Sequence, residues 1–218
     1  MRHEENRHLS AARMTGVAAT TAPYVYPLDS DDQAIPGALA AMADILDADP
    51  GVAVVAGDYE EFGTQDLLRA VPEELDPYRV ALCNEYPVTA LFRRTALEQV
   101  GGWRIGLRGY EDWDLWMSLA QAGLRMAHLG EGRPIYRRRL HGTRMLAEVR
   151  ARHTERYRDL KAAHPQLFAD LRRHRRASPM SRRRKLLYPV VYGGRRRTQF
   201  ELRVKAWLDE HRLWTLRR

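Results

Sequence analysis

Residues 23–32 read Pro-Tyr-Val-Tyr-Pro-Leu-Asp-Ser-Asp-Asp, a short β-prone run that breaks off in a cluster of carboxylates. A strand ending this way places Asp29, Asp31 and Asp32 at the C-terminal edge of a sheet, where open α/β sheets bind their ligands. Hard cations such as Mg²⁺ or Mn²⁺ prefer oxygen donors and can bridge carboxylates to a diphosphate. The spacing alone says less. The chain has three Asp-x-Asp matches, at 29/31, 47/49 and 112/114, where about one is expected by chance. On spacing alone the first cluster also reads as a solvated turn with Asp32 capping the helix that follows.

Working outward, the pattern alternates. Residues 9–20 are Ala-rich and helical, with Ser10 as a candidate cap. Pro36 opens a second helix to about Ala48. Gly51 to Gly57 is an apolar run between glycines, as for a buried strand. Residues 58–86 read as irregular and acidic, and Val88 to Arg93 as a strand. A short helix, 95–100, is stopped by Gly101-Gly102. Residues 111–122 form a helix with Leu115, Leu119 and Ala122 on one face, ended by Gly123. Residues 124–129 and 134–140 follow as strands. Such alternation predicts an α/β layered domain over 1–145. From Met145 onward the pattern is helical and basic, so 146–218 is expected to be a mostly helical C-terminal extension.

Composition sets further bounds. Of the 218 residues, 44% are hydrophobic and 29% charged, enough apolar material for a packed core. The single cysteine, Cys83, cannot form an internal disulfide, which fits a reducing, cytoplasmic setting. No signal peptide and no apolar run of membrane-spanning length is visible. The net charge of +8 is unevenly spread: residues 150–218 hold 21 Lys and Arg against 6 Asp and Glu, whereas 1–149 hold 15 against 22. The acidic part reads as the working domain and the basic part as an appendage.

Two more segments carry chemistry. Gly109-Tyr110-Glu111-Asp112-Trp113-Asp114-Leu115-Trp116 puts acidic residues in a helix's first turn, which the helix dipole favours in any case. It also offers a carboxylate base beside two indoles able to stack on a sugar. Trp113 and Trp116 lie three apart and share a face, so they are not both expected in the core if Leu115 and Leu119 are. Tyr136-Arg137-Arg138-Arg139-Leu140-His141 ends a strand with arginines suited to phosphate. A lone histidine such as His141 is more often structural than a ligand.

In this order the segments resemble family 2 glycosyltransferases of the GT-A, Rossmann-like fold. The family's Asn-x-Gly-x-Ser-x-Ala-Arg-Asn-x-Gly stretch is met by Asn6, Leu9 to Arg13 and Gly16, with His8 and Met14 departing from it. Its Leu-Asp-x-Asp-Asp is Leu28 to Asp32. Its Glu-Asp motif is Glu111 to Trp116, preceded by Val100 to Trp103, and its closing Tyr-Arg-x-x-x-His is Tyr136, Arg137 and His141. The resemblance covers about 4–145. The family's usual opening strands, which contribute to the sheet centre and carry an aspartate for the nucleobase, have no counterpart. The domain is therefore expected to be a three-layer GT-A sandwich lacking its first strands.

The resemblance implies roles: Arg13, Asp29 and Asp31 at the donor; Asp31, Asp32 and His141 at a divalent cation, Mg or Mn; Asp112 as base with Glu111 positioning it; Trp113 and Trp116 at the acceptor. The implied reaction is inverting transfer from a nucleotide-diphosphate sugar to a sugar or lipid-linked acceptor, in cell-envelope or polysaccharide synthesis. Two alternatives stand beside it: a non-catalytic remnant or binding module of the same family, and nucleic-acid binding through the basic extension, which the acidic first half opposes. Arg182 to Lys185 and Arg195 to Arg197 flank the apolar run Leu186 to Tyr192. This suits docking on an anionic membrane, with the enzyme peripheral on the inner face of the plasma membrane.

Overall fold

The computed structural model describes residues 3–64, 66–107, 109–140 and 152–192. His141 and Arg195 to Arg197 lie outside the described residues. These fold as two compact units. The first takes the chain up to Leu75 and from Glu85 to the last strand, and the second takes Asp76–Asn84 and the residues from 152 on.

The first unit is mixed α/β. Its elements are α1 (His8–Ala18), β1 (Tyr24–Val25), β2 (Gln33–Ala34), α2 (Ala38–Ala48), β3 (Val52–Ala56), β4 (Asp58–Gly63) and β5 (Leu67–Arg69). The second unit's α3 (Pro77–Leu82) intervenes, then β6 (Leu91–Arg93), α4 (Arg94–Val100), α5 (Glu111–Gln121), β7 (Arg125–His128) and β8 (Pro134–Leu140) complete the first. One sheet has the order β1-β6-β3-β7 and the other β2-β8-β4-β5. All five residues of β3 are buried, as a near-continuous Val/Ala run should be when both faces are covered. β3 pairs antiparallel with β6 and parallel with β7.

The strand expected between Gly51 and Gly57 is β3, and at Gly57 the chain turns into β4, which pairs in parallel with β8 in the second sheet. The stretch 58–86, read as irregular, thus holds two strands and a helix. The carboxylate of Asp58 fixes the turn, accepting from the N–H groups of Val71 (2.9 Å) and Gly132 (2.8 Å), with His128 Nε2 at 3.3 Å. Gly57 has no room for more than hydrogen. A Cβ there would lie 2.6 Å from Ile135 Cγ2 and 3.3 Å from both Arg133 O and Leu129 Cβ. Gly57→Ala should therefore lower stability by about 1–3 kcal/mol, the usual range for overpacking, and urea unfolding would measure it.

Helix α2 lays Ala38, Met42 and Leu46 against the sheets, with Val52, Val55, Leu91, Leu129, Ile135 and Tyr136 in the same cluster. It begins later than Pro36 suggested. Gly37, at φ +79°, is its N-cap residue, and Asp32 is engaged elsewhere.

The second unit is helical: α3 with α6 (His153–Ala163), α7 (Pro165–Ala169), α8 (Leu171–Ala177) and α9 (Arg182–Val191). Asp76 caps α3 by accepting from Tyr78 N–H (2.9 Å) and takes a second bond from Ser178 Oγ (2.6 Å). Tyr78, Leu82, Met180, Tyr188 and Tyr192 form its core, and Tyr78 donates to the Lys185 carbonyl at 2.8 Å. Among the described residues no helix is long and apolar enough to cross a membrane.

Candidate active site

The site begins with the turn after β1. Asp32 N–H bonds back to Asp29 O (3.1 Å), closing the turn. Asp32 Oδ1 then accepts from the backbone N–H of Arg139 in β8 (2.9 Å), and Arg139 Nε reaches the carbonyl of Asp31 (3.3 Å). The Asp32 carboxylate is thus held on β8 by a main-chain N–H and Asp31 through its carbonyl, and Asp32 does not cap α2. Burial, joined by the negative charges of Asp29 and Asp31, pushes the Asp32 carboxyl up, against the opposing pull of the Arg139 N–H and the Arg138 charge.

Arg13 enters from α1. Its guanidinium donates to Asp29 Oδ1 (3.0 Å) and to Asp112 Oδ1 (2.8 Å), residues 16 and 99 positions away. It also lies over the Trp103 ring, 5.8 Å from the centroid. Its side chain is only 10% exposed, whereas Asp112 keeps 30% of its own surface open. A planar fork with fixed donor directions can hold two carboxylates in this way; an ammonium cannot reproduce it.

Asp112 stands in the first turn of α5. Burial, with the charges of Glu111 and Asp29 adding to it and Arg13 opposing, pushes its carboxyl up to about 7. Replacing Arg13 by glutamine removes the main opposing charge. Any pH dependence carried by Asp112 should then move to higher pH, as a carboxyl-resolved NMR titration would show. Glu111 is buried beside it, and its Oε2 has no hydrogen-bond partner among the described residues. The residue before the helix, Tyr110, has φ +69°, left-handed for a bulky side chain. Such backbone costs of the order of 1–3 kcal/mol and persists where its surroundings enforce it; here its ring meets Trp113 edge-on at 5.2 Å.

The two tryptophans do not present a sugar platform. Trp113 is buried and Trp116 fully so, alongside Leu115, Met117 and Leu119. Trp116 donates Nε1–H to Pro87 O (2.8 Å) and packs on Tyr86 and Phe92. The expectation that α5 keeps one face in the core and offers the other to an acceptor fails because eight of its eleven residues are buried, both tryptophans among them. The aromatic that does reach the site is Trp103, which the sequence marked only as the end of the Val100 to Trp103 stretch of the resemblance.

Of the expected site residues, the structure therefore joins Arg13, Asp29 and Asp112 directly and sets Glu111, Asp31 and Asp32 beside them in sequence. Among the described residues no three His, Cys, Asp or Glu side chains form a group able to hold a metal ion on their own.

No curated protein matches the chain. The family model described as Glycosyl transferase family 2 matches residues 1–101. The matched stretch contains Arg13 and the aspartates at 29–32; Asp112 lies beyond it and is tied to it by Arg13. The similarity to glycosyl transferase family 2 thus covers 101 of the 218 residues.

Proposed function

We propose that this protein transfers a sugar from a nucleotide-diphosphate donor to an acceptor hydroxyl with inversion at the anomeric carbon. The observation that carries the reading is the Arg13 bridge, which brings the carboxylate turn and the start of α5 within the reach of one guanidinium. In this reading Asp112 takes the proton of the acceptor hydroxyl as its oxygen bonds to the anomeric carbon. The bond from that carbon to the diphosphate breaks on the opposite face, and the nucleoside diphosphate leaves with the electron pair. Oxocarbenium character in the transition state lets a carboxylate serve as base. Glu111 orients the base, and Arg13 and Asp29 hold the donor side of the site.

Asp31 and Asp32 would hold a divalent cation. The fit rests on the gathering of Asp29, Asp31 and Asp32 in one turn, where burial first and the neighbouring negative charges second push the Asp32 carboxyl up. It also rests on the habit of Mg²⁺ of binding through one or two carboxylates, with substrate oxygens completing its shell. Bound there, the cation supplies positive charge to the departing diphosphate. The acceptor class, a sugar or a lipid-linked glycan, belongs to the same proposal, as does a role in envelope or polysaccharide synthesis.

Release of nucleoside diphosphate from a panel of uridine, guanosine and thymidine diphosphate sugars, with Mg²⁺ or Mn²⁺, tests this. At least one donor should be consumed, and chelation should stop it. If calorimetry detects no binding of any donor with either cation, the reading fails.

A further inference from the structure

Helix α9 has two faces of opposite character. Tyr188 and Tyr192, four apart, point into the second unit's core and are buried. On the other side stand Arg183, Leu186, Leu187 and Val190, spaced i, i+3, i+4, i+7. The three aliphatic side chains are 66%, 45% and 54% exposed. Arg182 and Arg183, both exposed, sit at the N-terminal end of this face. The charge around it has one sign: residues 152–192 hold 12 Lys and Arg against 3 Asp and Glu. Leucines and a valine exposed together on one helix face leave apolar area in water that an apolar partner would cover.

We infer that this face of α9 docks the protein on an anionic bilayer, with Leu186, Leu187 and Val190 entering the acyl boundary and Arg182 and Arg183 meeting lipid phosphates. A helix with a basic end and a narrow aliphatic face lies in the plane of the interface, and needs no spanning length. Nucleic acid fits less well. Single strands are gripped by aromatic platforms, and both tyrosines of this helix are committed to the core, 4.7 Å apart by ring centroids. What the face offers to solvent is aliphatic, which bases do not stack on and lipid tails accept. The inference stands apart from the donor site, since it is read with no donor present.

Flotation of the full chain with vesicles tests it, comparing pure phosphatidylcholine with vesicles containing one third phosphatidylglycerol. Binding should favour the anionic vesicles. Leu187→Asp with Val190→Asp should weaken it by more than about tenfold, given the transfer free energy of two aliphatic side chains. Arg182→Gln and Arg183→Gln should each cost about fivefold, and only on anionic vesicles. If circular dichroism shows that the aspartate pair alters the fold, Leu186→Ser with Val190→Ser repeats the comparison. Equal binding to both vesicle types, or unchanged binding by the aliphatic variants, overturns the inference. So does an oligonucleotide that binds more tightly than the vesicles and is indifferent to Leu187→Asp and Val190→Asp.

Discussion

Asp112→Asn should reduce sugar transfer by about 10²–10⁴-fold, the usual contribution of a positioned general base, while leaving the fold intact. Asparagine is nearly isosteric and can still accept the Arg13 bond seen at 2.8 Å, but it cannot take a proton. Donor affinity, measured separately by calorimetry, should change little; a parallel loss would reassign Asp112 to donor binding. The wild-type rate should climb with pH through about 7, because only the ionised carboxyl is a base and its titration is raised to that region. The same residue should leave a mark on stability. Its folded-state value lies above its unfolded one, so between about 4 and 7 the native protein binds more protons than the unfolded chain. The stabilisation this gives is full at low pH and is lost as pH rises through 7. Urea midpoints collected across that window should fall more steeply for the wild type than for Asp112→Asn.

Trp116→Ala should be the most damaging single change to the first unit, by about 3–5 kcal/mol, the range for emptying a large aromatic from a core. The indole is fully buried against Tyr86, at 5.0 Å between ring centroids, and Phe92, at 5.6 Å. Its removal also orphans the Pro87 carbonyl, which now receives Nε1–H; a buried acceptor left unpaired adds to the loss. Trp116→Phe should recover most of the packing but not that bond. Thermal unfolding of the two variants separates the contributions. A near-neutral Trp116→Ala, with transfer to acceptor impaired instead, would restore the sugar-stacking role that burial argues against.

Local signals served well where a residue's neighbours in sequence are also its neighbours in space. The helix at 111, the buried strand after Gly51 and the glycine stop at 101–102 are written in periodicity and turn chemistry. The site was legible as a set of residue types, not as an arrangement. Asp29 and Asp112 could be named as carboxylates of interest, but no spacing shows that a guanidinium from α1 ties them together. The main-chain bond from Arg139 to Asp32 crosses 107 positions and leaves no trace in composition. Pattern reading failed at Gly57, where a strand changes sheets without a loop, and at α5. In α5, amphipathicity was assumed for a helix that buries eight of its eleven residues. Both errors share one cause: a local pattern cannot report how many sides of an element are covered.

The route of the chain through α3 has a further bearing. The segment Asp76–Asn84 leaves the first unit in mid-sequence, supplies Tyr78 and Leu82 to the helical unit's core, and returns. The carboxyl-terminal helices are thus not a detachable tag. A chain ended after the last strand would still make α3, with two large side chains robbed of the methionine and tyrosines that shelter them. Trimming for expression, a routine step with arginine-rich ends, would leave the first unit bearing a sticky scar.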